Sequence, residues 1–505
     1  MLPSTSVMDR AKAHHLKEIE VLPTLGAQAP GTWCVIGEHT DEFGGTVVVS
    51  PLDLATAVVL SPRHDGVLSL RGEFAGTNIP SVTVRIRHAA TNSAVLQRAA
   101  RLITTLIQRQ ILSRDTAGFD ITVCSDVPLG SGLGALHSFD AALGLALYPE
   151  AHSPAEAPLR ARLASICSQA VRSLPGTQVL RARHIAALRG ISGRPCVVNY
   201  SDGSVTDSLP LHSSRMVALA IGAPHSGMEP ARGNAENPVS SKANATGTTA
   251  QPTIPADQSS TAEPPTDHST VPTQPTTRPA APTSSTAPTA STAPGLPEHA
   301  SPGNTASRST PASTQRRFIE DAAHAFGTEY LRLLPDSTPR VLDWLKAVYA
   351  VHDPQGYPSV EEASGLLRFW EEETQRSHHL VSLLRGRRGG EVPALLNESR
   401  LATVAAYGTA SPALTNLTQA CLELSAASVR PTRSGVSEWV AVLVEEDKAA
   451  AFRQNITQQD ISRENIVEKD GATSTPQTTN SQPVSPVSVI PLHPGETARA
   501  YEFPA

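Results

Sequence analysis

The stretch Val35–Gly45, VIGEHTDEFGG, places Glu38, His39, Thr40 and Asp41 directly behind an apolar pair and a glycine. Two carboxylates and one imidazole at this spacing suit a metal site, a site for a polyol, or a polar turn between two strands. A metal site is the poorest of the three, because there is a single histidine and no partner ligand at helical spacing. The stretch alone leaves the other two open.

The composition limits the classes of protein that the chain can belong to. It has 505 residues, but 42 prolines, 4% aromatic residues and 17% charged residues indicate that a sizeable part does not fold. A net charge of −6 predicts no binding of nucleic acid or of an anionic membrane. The five cysteines are scattered without a CxxC pair, which predicts reduced thiols. No apolar run is typical of a signal peptide or a membrane span, so the sequence favours the cytoplasm.

A segment rich in proline, threonine, serine and alanine runs from Glu229 to Thr314. It has almost no aromatic and few large aliphatic residues, so it cannot bury enough apolar surface to offset the entropy of ordering. We predict a disordered linker here, whose partner the sequence does not indicate. A shorter polar stretch, residues 468–485, is predicted to be a loop of the same kind.

The remainder of the chain alternates β-branched runs with helical patterns. TVVVS, TAVVLSP and FDITVCSDV predict strands, and AVLQRAARLITTLIQRQIL predicts an amphipathic helix. Beyond Gln315 the patterns are mostly helical and lead to a predicted strand, EWVAVLVEE. This mixture predicts an α+β fold.

The second informative stretch is SDVPLGSGLGALHSFDAALGLAL, residues 125–147. A predicted strand ends at Val127, then come Gly130, Gly132 and Gly134, and a helix is predicted to begin near Ala135. Glycines without Cβ atoms let backbone N–H groups approach oxyanions, and the helix dipole favours negative charge, so the stretch can form a phosphate cradle. The pattern equally fits a tight turn with close packing, and it is not a P-loop.

Together the two stretches resemble the galactokinase family, within the GHMP group of small-molecule kinases. GTWCVIGEHTDEFGG, residues 31–45, is similar to the family's G-R-x-N-L-I-G-E-H-x-D-Y-x-x-G, and Pro128–His137 to the first half of P-L-G-x-G-L-S-S-S-A. QRRFIEDAAHAFG, LLNESRLATVAAYGTASPAL and VSVIPLHPGETAR resemble later family segments. The resemblance implies a two-lobed GHMP-kinase-like fold, with an N-terminal lobe at 1–205, a C-terminal lobe at 206–228 and 315–503, and the linker at 229–314 as an insertion.

The resemblance also implies site residues and ligands. It assigns sugar hydroxyls to Glu38, His39 and Asp41, which fits because vicinal hydroxyls both donate and accept hydrogen bonds. It implies ATP and Mg²⁺, although no metal-binding side chain is predicted. It assigns the nucleotide phosphates to Pro128, Gly130, Ser131, Gly132 and Gly134.

Two departures from the family pattern concern charge. The arginine that lies two positions after Pro30 in the family, where it steadies phosphate charge, is Thr32 here. The family's catalytic aspartate, in G-I-M-D-Q, is replaced by Arg183, and there is no carboxylate between Glu156 and Asp202. No catalytic residue is therefore predicted.

Other departures concern the nucleotide and the sugar. Of the five glycines in the family's third motif only Gly435 remains, and Ser313 stands at the position of a sugar-contacting tyrosine. The serines after the glycines, one of which serves the Mg–nucleotide, are replaced by Gly134, Ala135 and Leu136. Phosphoryl transfer depends on positioning of metal and phosphate, so the expected turnover is far below that of an intact member.

Three hypotheses for the function remain. The first is an active galactokinase that converts ATP and galactose to galactose 1-phosphate. The second is a non-catalytic relative, a pseudoenzyme, that binds galactose or a similar sugar, with ATP as a further candidate ligand, and acts as a regulator or partner subunit. The third is a structural protein that binds neither ligand. The retained sugar motif beside altered nucleotide motifs favours the second, and whether Asp140 replaces the missing carboxylate stays open.

Overall fold

The computed structural model describes residues 5–86, 91, 93–174, 177, 179–211, 215–222, 311–351, 356–408, 411–434, 437–458 and 487–503. The strands within them are β1 (Leu25–Ile36), β2 (Thr46–Pro62), β3 (Val67–Phe74), β4 (Thr77–Arg85), β5 (Gly118–Ser125), β6 (Cys196–Asn199), β7 (Val205–Asp207), β8 (Met216–Gly222), β9 (Ser428–Pro431), β10 (Val440–Glu445), β11 (Ser488–Pro491) and β12 (Arg499–Glu502). The helices are α1 (Val7–Ile19), α2 (Ala94–Gln108), α3 (Ala135–Ala146), α4 (Ala157–Arg172), α5 (Arg181–Arg189), α6 (Pro311–Ala325), α7 (Ser337–Val351), α8 (Val360–Arg385), α9 (Val392–Tyr407), α10 (Pro412–Glu423) and α11 (Ala449–Gln458). The predicted linker up to residue 310 and the predicted loop at 468–485 lie outside the described residues.

The larger sheet is built around the long strand β2. Eight described strands form this sheet in the order β12-β1-β2-β5-β3-β4, with β6 paired to β2 and β7 paired to β6. The sequence pattern splits Thr46–Pro62 into two strands, but the structure has one continuous strand. Its first residues pair with β6 and its last residues with β5, which explains why both ends carry β-branched runs.

Helices cover both faces of this sheet. Because side chains alternate along a strand, Val58 and Leu60 of β2 enter the main core, while Ala57 and Val59 point to the opposite face. The main core also contains residues of α2, α3 and α4, and α1 packs on the opposite face. In α3 every residue except Leu136 is buried, which explains why apolar residues occur on all sides of this helix.

The smaller sheet, with strand order β11-β8-β10-β9, is antiparallel and packs against α10 and α11. Helices α6, α7 and α8 form a separate apolar cluster with Phe43, which lies between β1 and β2. Helix α8 begins with a capping box in which Ser359 and Glu362 exchange hydrogen bonds with each other's backbone. Within the described residues, no helix has the length and apolarity that a membrane crossing requires.

Both sheets combine strands from before and after the 223–310 segment. Strand β12 pairs with β1, and β8 lies between β10 and β11. Strands β7 and β12 both belong to the larger sheet, and the implied lobe boundaries stay a prediction. Helix α6, the first described element after the predicted linker, begins at Pro311. These pairings join residues far apart in the chain, which local patterns do not reveal.

We expect proteolysis to cut first between residues 229 and 310 and to leave two fragments that stay associated. Strand β8 of the N-terminal fragment pairs with β10 and β11 of the C-terminal fragment, and β12 of the C-terminal fragment pairs with β1. Separation of the fragments therefore requires breaking backbone pairings in both sheets. Limited digestion followed by size-exclusion chromatography tests this, with the same digest in 6 M urea as the control for separated fragments. Fragments that elute separately without denaturant would contradict these strand pairings between the fragments.

Candidate functional site

The turn Gly37–Gly45, which joins β1 to β2, closes without help from the three predicted sugar-binding side chains. A Cβ on Gly37, whose φ is 89°, would collide with the backbone of Thr46. The Thr40 amide donates to the Gly37 carbonyl oxygen at 3.2 Å, and the Gly45 amide donates to the Thr40 carbonyl oxygen at 2.8 Å. The polar-turn interpretation therefore does not explain why Glu38, His39 and Asp41 are present.

Glu38 is a buried, charged hydrogen-bond acceptor. It is 7% exposed, and its Oε2 accepts hydrogen bonds from the Ser434 amide at 3.1 Å and the Ser434 hydroxyl at 3.0 Å. Burial alone would raise the pKa of Glu38, but His39, the Ser434 amide and Arg183 together hold that pKa below its ordinary value. The carboxylate is therefore ionised at neutral pH.

His39 presents a neutral imidazole with an unused nitrogen. Its ring stacks on the Tyr407 ring, with centroids 4.3 Å apart and 26° between the planes. Its backbone φ of 72° is left-handed, which is uncommon for a residue with a Cβ. Burial lowers the pKa of His39, and the buried Nε2 has no hydrogen-bond partner among the described residues. That nitrogen can donate to or accept from a ligand hydroxyl, depending on the tautomer.

Asp41 is a buried carboxylate with too few partners. It is 6% exposed, and its Oδ2 has no hydrogen bond to any described residue; the Arg181 Nε lies 3.6 Å away. Burial and the neighbouring charge of Glu42 raise the pKa of Asp41 to about 6, against the opposing charge of Arg181. A buried polar atom without a partner costs stability, so it marks a place where a ligand donor fits.

Arg181 and two tyrosines extend this site beyond what the sequence motif indicated. The Arg181 guanidinium carbon lies 4.4 Å from the centroid of the Tyr200 ring and 5.8 Å from that of Tyr330. Arg181 donates to the Tyr330 hydroxyl at 3.2 Å and to the Asp41 carbonyl oxygen at 2.7 Å. The Tyr200 hydroxyl is buried without a hydrogen-bond partner in the described part of the chain. Nothing in the sequence around these residues indicates the contacts.

A buried polar network fixes the turn from the side of α8. The Glu373 Oε1 accepts a hydrogen bond from the Gly37 amide at 3.1 Å and one from the Ser399 hydroxyl. Its Oε2 accepts from Arg376 at 2.8 Å, so this fully buried carboxylate is satisfied. Arg430 joins the same network, donating to the Ser399 hydroxyl and the Val35 carbonyl oxygen, each at 3.0 Å.

The glycine-rich loop has the predicted form. Gly130, Gly132 and Gly134 have φ values of 75°, 72° and 77°, in the left-handed region that favours glycine. Helix α3 then begins at Ala135, with Gly134 as its N-cap and no side-chain cap hydrogen bond. The prediction of a strand, a glycine turn and a helix N-terminus is confirmed.

The loop between β9 and β10 covers these glycines with side chains. Thr432 donates from its hydroxyl to the Ser131 carbonyl oxygen at 2.6 Å, and Ser437 donates to the Gly130 carbonyl oxygen at 2.9 Å. A Cβ on Gly132 would collide with the Thr432 hydroxyl. At this loop, where the third motif of the galactokinase pattern has a row of glycines, the side chains of Thr432 and Ser437 occupy the space.

Arg183 lies against the last of the three glycines. It is 1% exposed and donates to the Thr32 carbonyl oxygen, to the Thr32 hydroxyl at 3.2 Å and to the Thr432 carbonyl oxygen at 3.3 Å. A Cβ on Gly134 would stand 3.1 Å from the Arg183 Nη1. Burial lowers the pKa of Arg183, against the opposing charges of Cys34 and Glu38, yet a guanidinium stays protonated at neutral pH.

Comparison with known proteins shows what this part of the chain is similar to. The Galactokinase galactose-binding signature matches residues 13–62, which include the whole turn. Human galactokinase is 29% identical over 215 residues, which are 42% of this chain and 54% of the human protein. The galactokinase of Chloroflexus aurantiacus is 32% identical over 127 residues, 24% of this chain and 30% of that protein. The resemblance to the galactokinase family is thereby confirmed. The match spans about half the length of the human galactokinase.

A solved galactokinase confirms the fold. The structure described as Lactococcus lactis galactokinase complexed with galactose matches with a TM-score of 0.60 at 13% identity, covering 99% of this chain and 100% of that one. The predicted GHMP-kinase-like fold of mixed helices and sheets is therefore confirmed.

In this chain the arginine lies on α5, whereas the galactokinase pattern has its arginine at a position that falls on β1. The pattern has arginine at position 32 in β1 and aspartate at position 183 in α5, whereas this chain has Thr32 and Arg183. The two residues are hydrogen-bonded to each other, so the Arg183 guanidinium lies against the residue at position 32. The carboxylate of the pattern has no counterpart at position 183.

Asp140, which the sequence left open as a replacement for that carboxylate, is already engaged. It is 1% exposed and forms a bidentate ion pair with Arg98, whose Nε lies 3.1 Å from Oδ1. Its Oδ2 also lies 3.1 Å from the Nε2 of His184, and Ser168 contacts the other ring nitrogen at 2.9 Å. Both oxygens of this buried carboxylate are already engaged by Arg98 and His184, so we assign Asp140 to the core and not to the candidate site.

We expect Asp140→Ala to lower the free energy of unfolding by about 3–5 kcal/mol, because it leaves the Arg98 guanidinium buried without its anion. Urea denaturation measures the change. The double variant Arg98→Met with Asp140→Leu should recover most of the loss, since it removes both charges. Glu391→Ala, which breaks an exposed pair with Arg388, is the control and should leave the midpoint unchanged. An unchanged midpoint for Asp140→Ala would contradict the assignment.

The residues at the glycine-rich loop do not fit the Mg²⁺ that the galactokinase resemblance implies. The Ser131 and Ser138 hydroxyls donate to the carbonyl oxygens of Pro128 and Ala135, at 2.7 Å and 2.8 Å. Among the described residues, no group of three or more His, Cys, Asp or Glu side chains could hold a metal ion. Both serine side chains are buried, and residues 128–138 contain no carboxylate, so this segment presents no side-chain ligand of the kind that Mg²⁺ prefers.

Proposed function

We propose that this chain binds galactose or a closely similar sugar at the turn Gly37–Gly45 and transfers phosphate to it weakly or not at all. One observation carries the proposal: the buried guanidinium of Arg183 stands where the galactokinase pattern has its catalytic aspartate, hydrogen-bonded to Thr32 and Thr432. A guanidinium cannot take the proton of a sugar hydroxyl at neutral pH. Glu38, His39 and Asp41 keep the chemistry for binding.

Sugar binding is supported by the polar atoms that lack partners within the described residues. They are the Asp41 Oδ2, the His39 Nε2 and the Tyr200 hydroxyl, all buried. A polyol offers several donors and acceptors at once, so a single sugar can satisfy such a group. The similar Lactococcus lactis structure is described as a complex with galactose, which makes galactose the first sugar to test.

An active galactokinase, with ATP and galactose as substrates and galactose 1-phosphate as product, is the second candidate. Gly130, Gly132 and Gly134 favour it, because they keep the left-handed backbone that opens a helix N-terminus to phosphate. In that case Arg183 would bind the transferred phosphate, and water would accept the proton of the sugar hydroxyl late in the phosphoryl transfer. Binding of ATP without transfer is compatible with the first proposal. A purely structural role leaves the buried polar atoms unexplained.

The same proposal extends to cellular role and location. A protein that binds a sugar without converting it suits a regulator or a partner subunit. All five cysteines are free and buried, which supports the cytoplasm as the compartment. The net charge of −6 supports neither nucleic acid nor an anionic membrane as a partner.

Two measurements on the full chain test the proposal. Titration calorimetry with galactose should show saturable binding, which Glu38→Ala abolishes by removing a buried charged acceptor. A coupled assay for ADP should show no galactose-dependent release. Galactose-dependent release that Glu38→Ala abolishes would restore the active galactokinase. Absence of galactose binding would overturn the sugar assignment itself.

A further inference from the structure

Arg181, the first residue of α5, lies beside Asp41 with one of its donors unused. Its Nη1 donates to the Tyr330 hydroxyl at 3.2 Å, and its Nη2 donates to the Asp41 carbonyl oxygen at 2.7 Å. Its Nε is buried and has no hydrogen-bond partner among the described residues. A guanidinium nitrogen donates and does not accept, so Nε can be satisfied only by an acceptor.

The Asp41 carboxylate has the opposite requirement at the same place. Its Oδ2 lies 3.6 Å from the Arg181 Nε, which is too long for a hydrogen bond, and it too lacks a partner in the described part of the chain. An ionised carboxylate accepts and does not donate. One atom that accepts from Nε and donates to Oδ2 satisfies both groups, and the oxygen of a hydroxyl has this capacity.

Two tyrosines from distant segments hold the Arg181 guanidinium at this distance from Asp41. The ring of Tyr200, the residue after β6, has its centroid 4.4 Å from the guanidinium carbon, and the Tyr330 hydroxyl accepts from Nη1. Tyr330 is fixed in turn, since a Cβ on Gly44 would stand only 2.5 Å from the Tyr330 Cβ. The gap between Nε and Oδ2 is therefore built by packing on both sides.

Other small groups suit this gap less well than a hydroxyl does. The Arg181 guanidinium repels a metal ion, and the Asp41 carboxylate repels an anion. An apolar group leaves two buried charged groups without their hydrogen bonds. Water has the bonding capacity of a hydroxyl, so it is the occupant that an experiment has to separate from a sugar.

We propose that Arg181 is a specificity-determining residue of the sugar site, and that one hydroxyl of the sugar binds between its Nε and the Asp41 Oδ2. This rests on the proposed function, because it takes sugar binding at the turn as given and names the feature by which the sugar is selected. A site that hydrogen-bonds a substrate hydroxyl strongly rejects the analogue that lacks it, because the polar groups of the site are then left unpaired. The preferred ligand is accordingly a neutral sugar, and both a deoxy sugar and a sugar acid are disfavoured.

Titration calorimetry of the full chain compares galactose with its four monodeoxy derivatives, lacking the hydroxyl at C2, C3, C4 or C6, and with galacturonate. The titrations are run near pH 8, above the pKa of about 6 of Asp41, so that its carboxylate is ionised. We expect at least one deoxy derivative to bind about 100-fold more weakly than galactose in the parent. For the same derivative this ratio should fall to about 10-fold or less when Arg181 is replaced, because Asp41 alone then holds the hydroxyl.

Arg181→Lys isolates the contribution of Nε, because lysine keeps the positive charge beside Asp41 but has a methylene at the position of Nε. Arg181→Met is the second variant and removes the charge as well. Arg172→Met is the matched control, because it removes a guanidinium that pairs with Glu42, the neighbour of Asp41. It should leave the ratios of the parent unchanged. A merely structural role of Arg181 would weaken all sugars by the same factor and would also leave the ratios unchanged.

The results separate this proposal from the proposed function. Ratios that are the same in the parent and in both Arg181 variants overturn the role of Arg181, as when water fills the gap, and leave sugar binding in place. Galacturonate that binds more tightly than galactose also overturns it, because Arg181 would then select an anion. If neither galactose nor any derivative binds to the parent, the proposed function fails as well.

Discussion

Purified protein given Mg²⁺, ATP and galactose is expected to release ADP at least about 1,000-fold more slowly than an intact galactokinase. A positioned proton acceptor alone contributes about 10²- to 10⁴-fold to a rate, and Arg183 cannot act as one. The Thr432 and Ser437 side chains also occupy the glycine-rich loop, so positioning of the phosphates is affected together with proton transfer.

A pair of variants shows whether the exchange at positions 32 and 183 causes this loss. Arg183→Asp alone restores the carboxylate but removes the cation that contacts Thr32 and Gly134. Thr32→Arg with Arg183→Asp returns both charges to the elements that carry them in the galactokinase pattern. We expect galactose-dependent ADP release to rise above the parent level only in the double variant. Rapid galactose-dependent release in the parent, lost in Glu38→Ala, would instead show a working galactokinase.

The variant Asp41→Asn is expected to lose galactose binding and yet to be more stable than the parent without ligand. Galactose at 100 times its Kd should raise the Tm of the parent by about 3–5 °C, and this increase should fall below about 1 °C in the variant. The amide has no charge with which to hold a desolvated hydroxyl, which is why binding is lost. Thermal unfolding with and without galactose measures both effects.

The gain in stability follows from the raised pKa of Asp41. In the folded protein this pKa is about 6, above its ordinary value of 3.8, so the unfolded chain releases the proton first as the pH rises. The native state therefore loses stability between about pH 4 and pH 6, and at pH 7 the cost is about 1–3 kcal/mol. Asp41→Asn should remove this loss, so the free energy of unfolding of the variant at pH 7 should match that of the parent near pH 4, where Asp41 is protonated. Asp115→Asn, at an exposed position, is the control. A variant that is less stable at pH 7 would indicate a carboxylate that only supports the turn.

The sequence predicted the parts of the site that lie within one short segment. The turn Gly37–Gly45 and the passage from the three glycines into α3 are local features, so residue spacing and backbone preference were enough to identify them. The strand at Thr46–Pro62 was predicted as two strands, because the charged Asp53 in its middle interrupts the apolar pattern.

The missed parts depend on contacts between distant segments. Arg181 meets Tyr330 only through the packing of α5 against the segment after α6, and Glu373 reaches the Gly37 amide from α8. The ion pair between Arg98 and Asp140 joins α2 to α3 in the core. Charged residues on predicted helices are most often solvated, so no pattern within either helix indicates that these two are buried together.

The pairing of β1 with β12 also affects how this protein is made. Strand β1 is synthesised early. Strand β12, which pairs with one edge of β1 and places Glu502 opposite Leu25, leaves the ribosome much later. Until then the backbone groups of Leu25–Gln28 on that side are an open strand edge, to which another nascent chain can add. Slow translation of the intervening segment prolongs this exposure, so the yield of native protein should depend on elongation rate and on chaperones that shield strand edges.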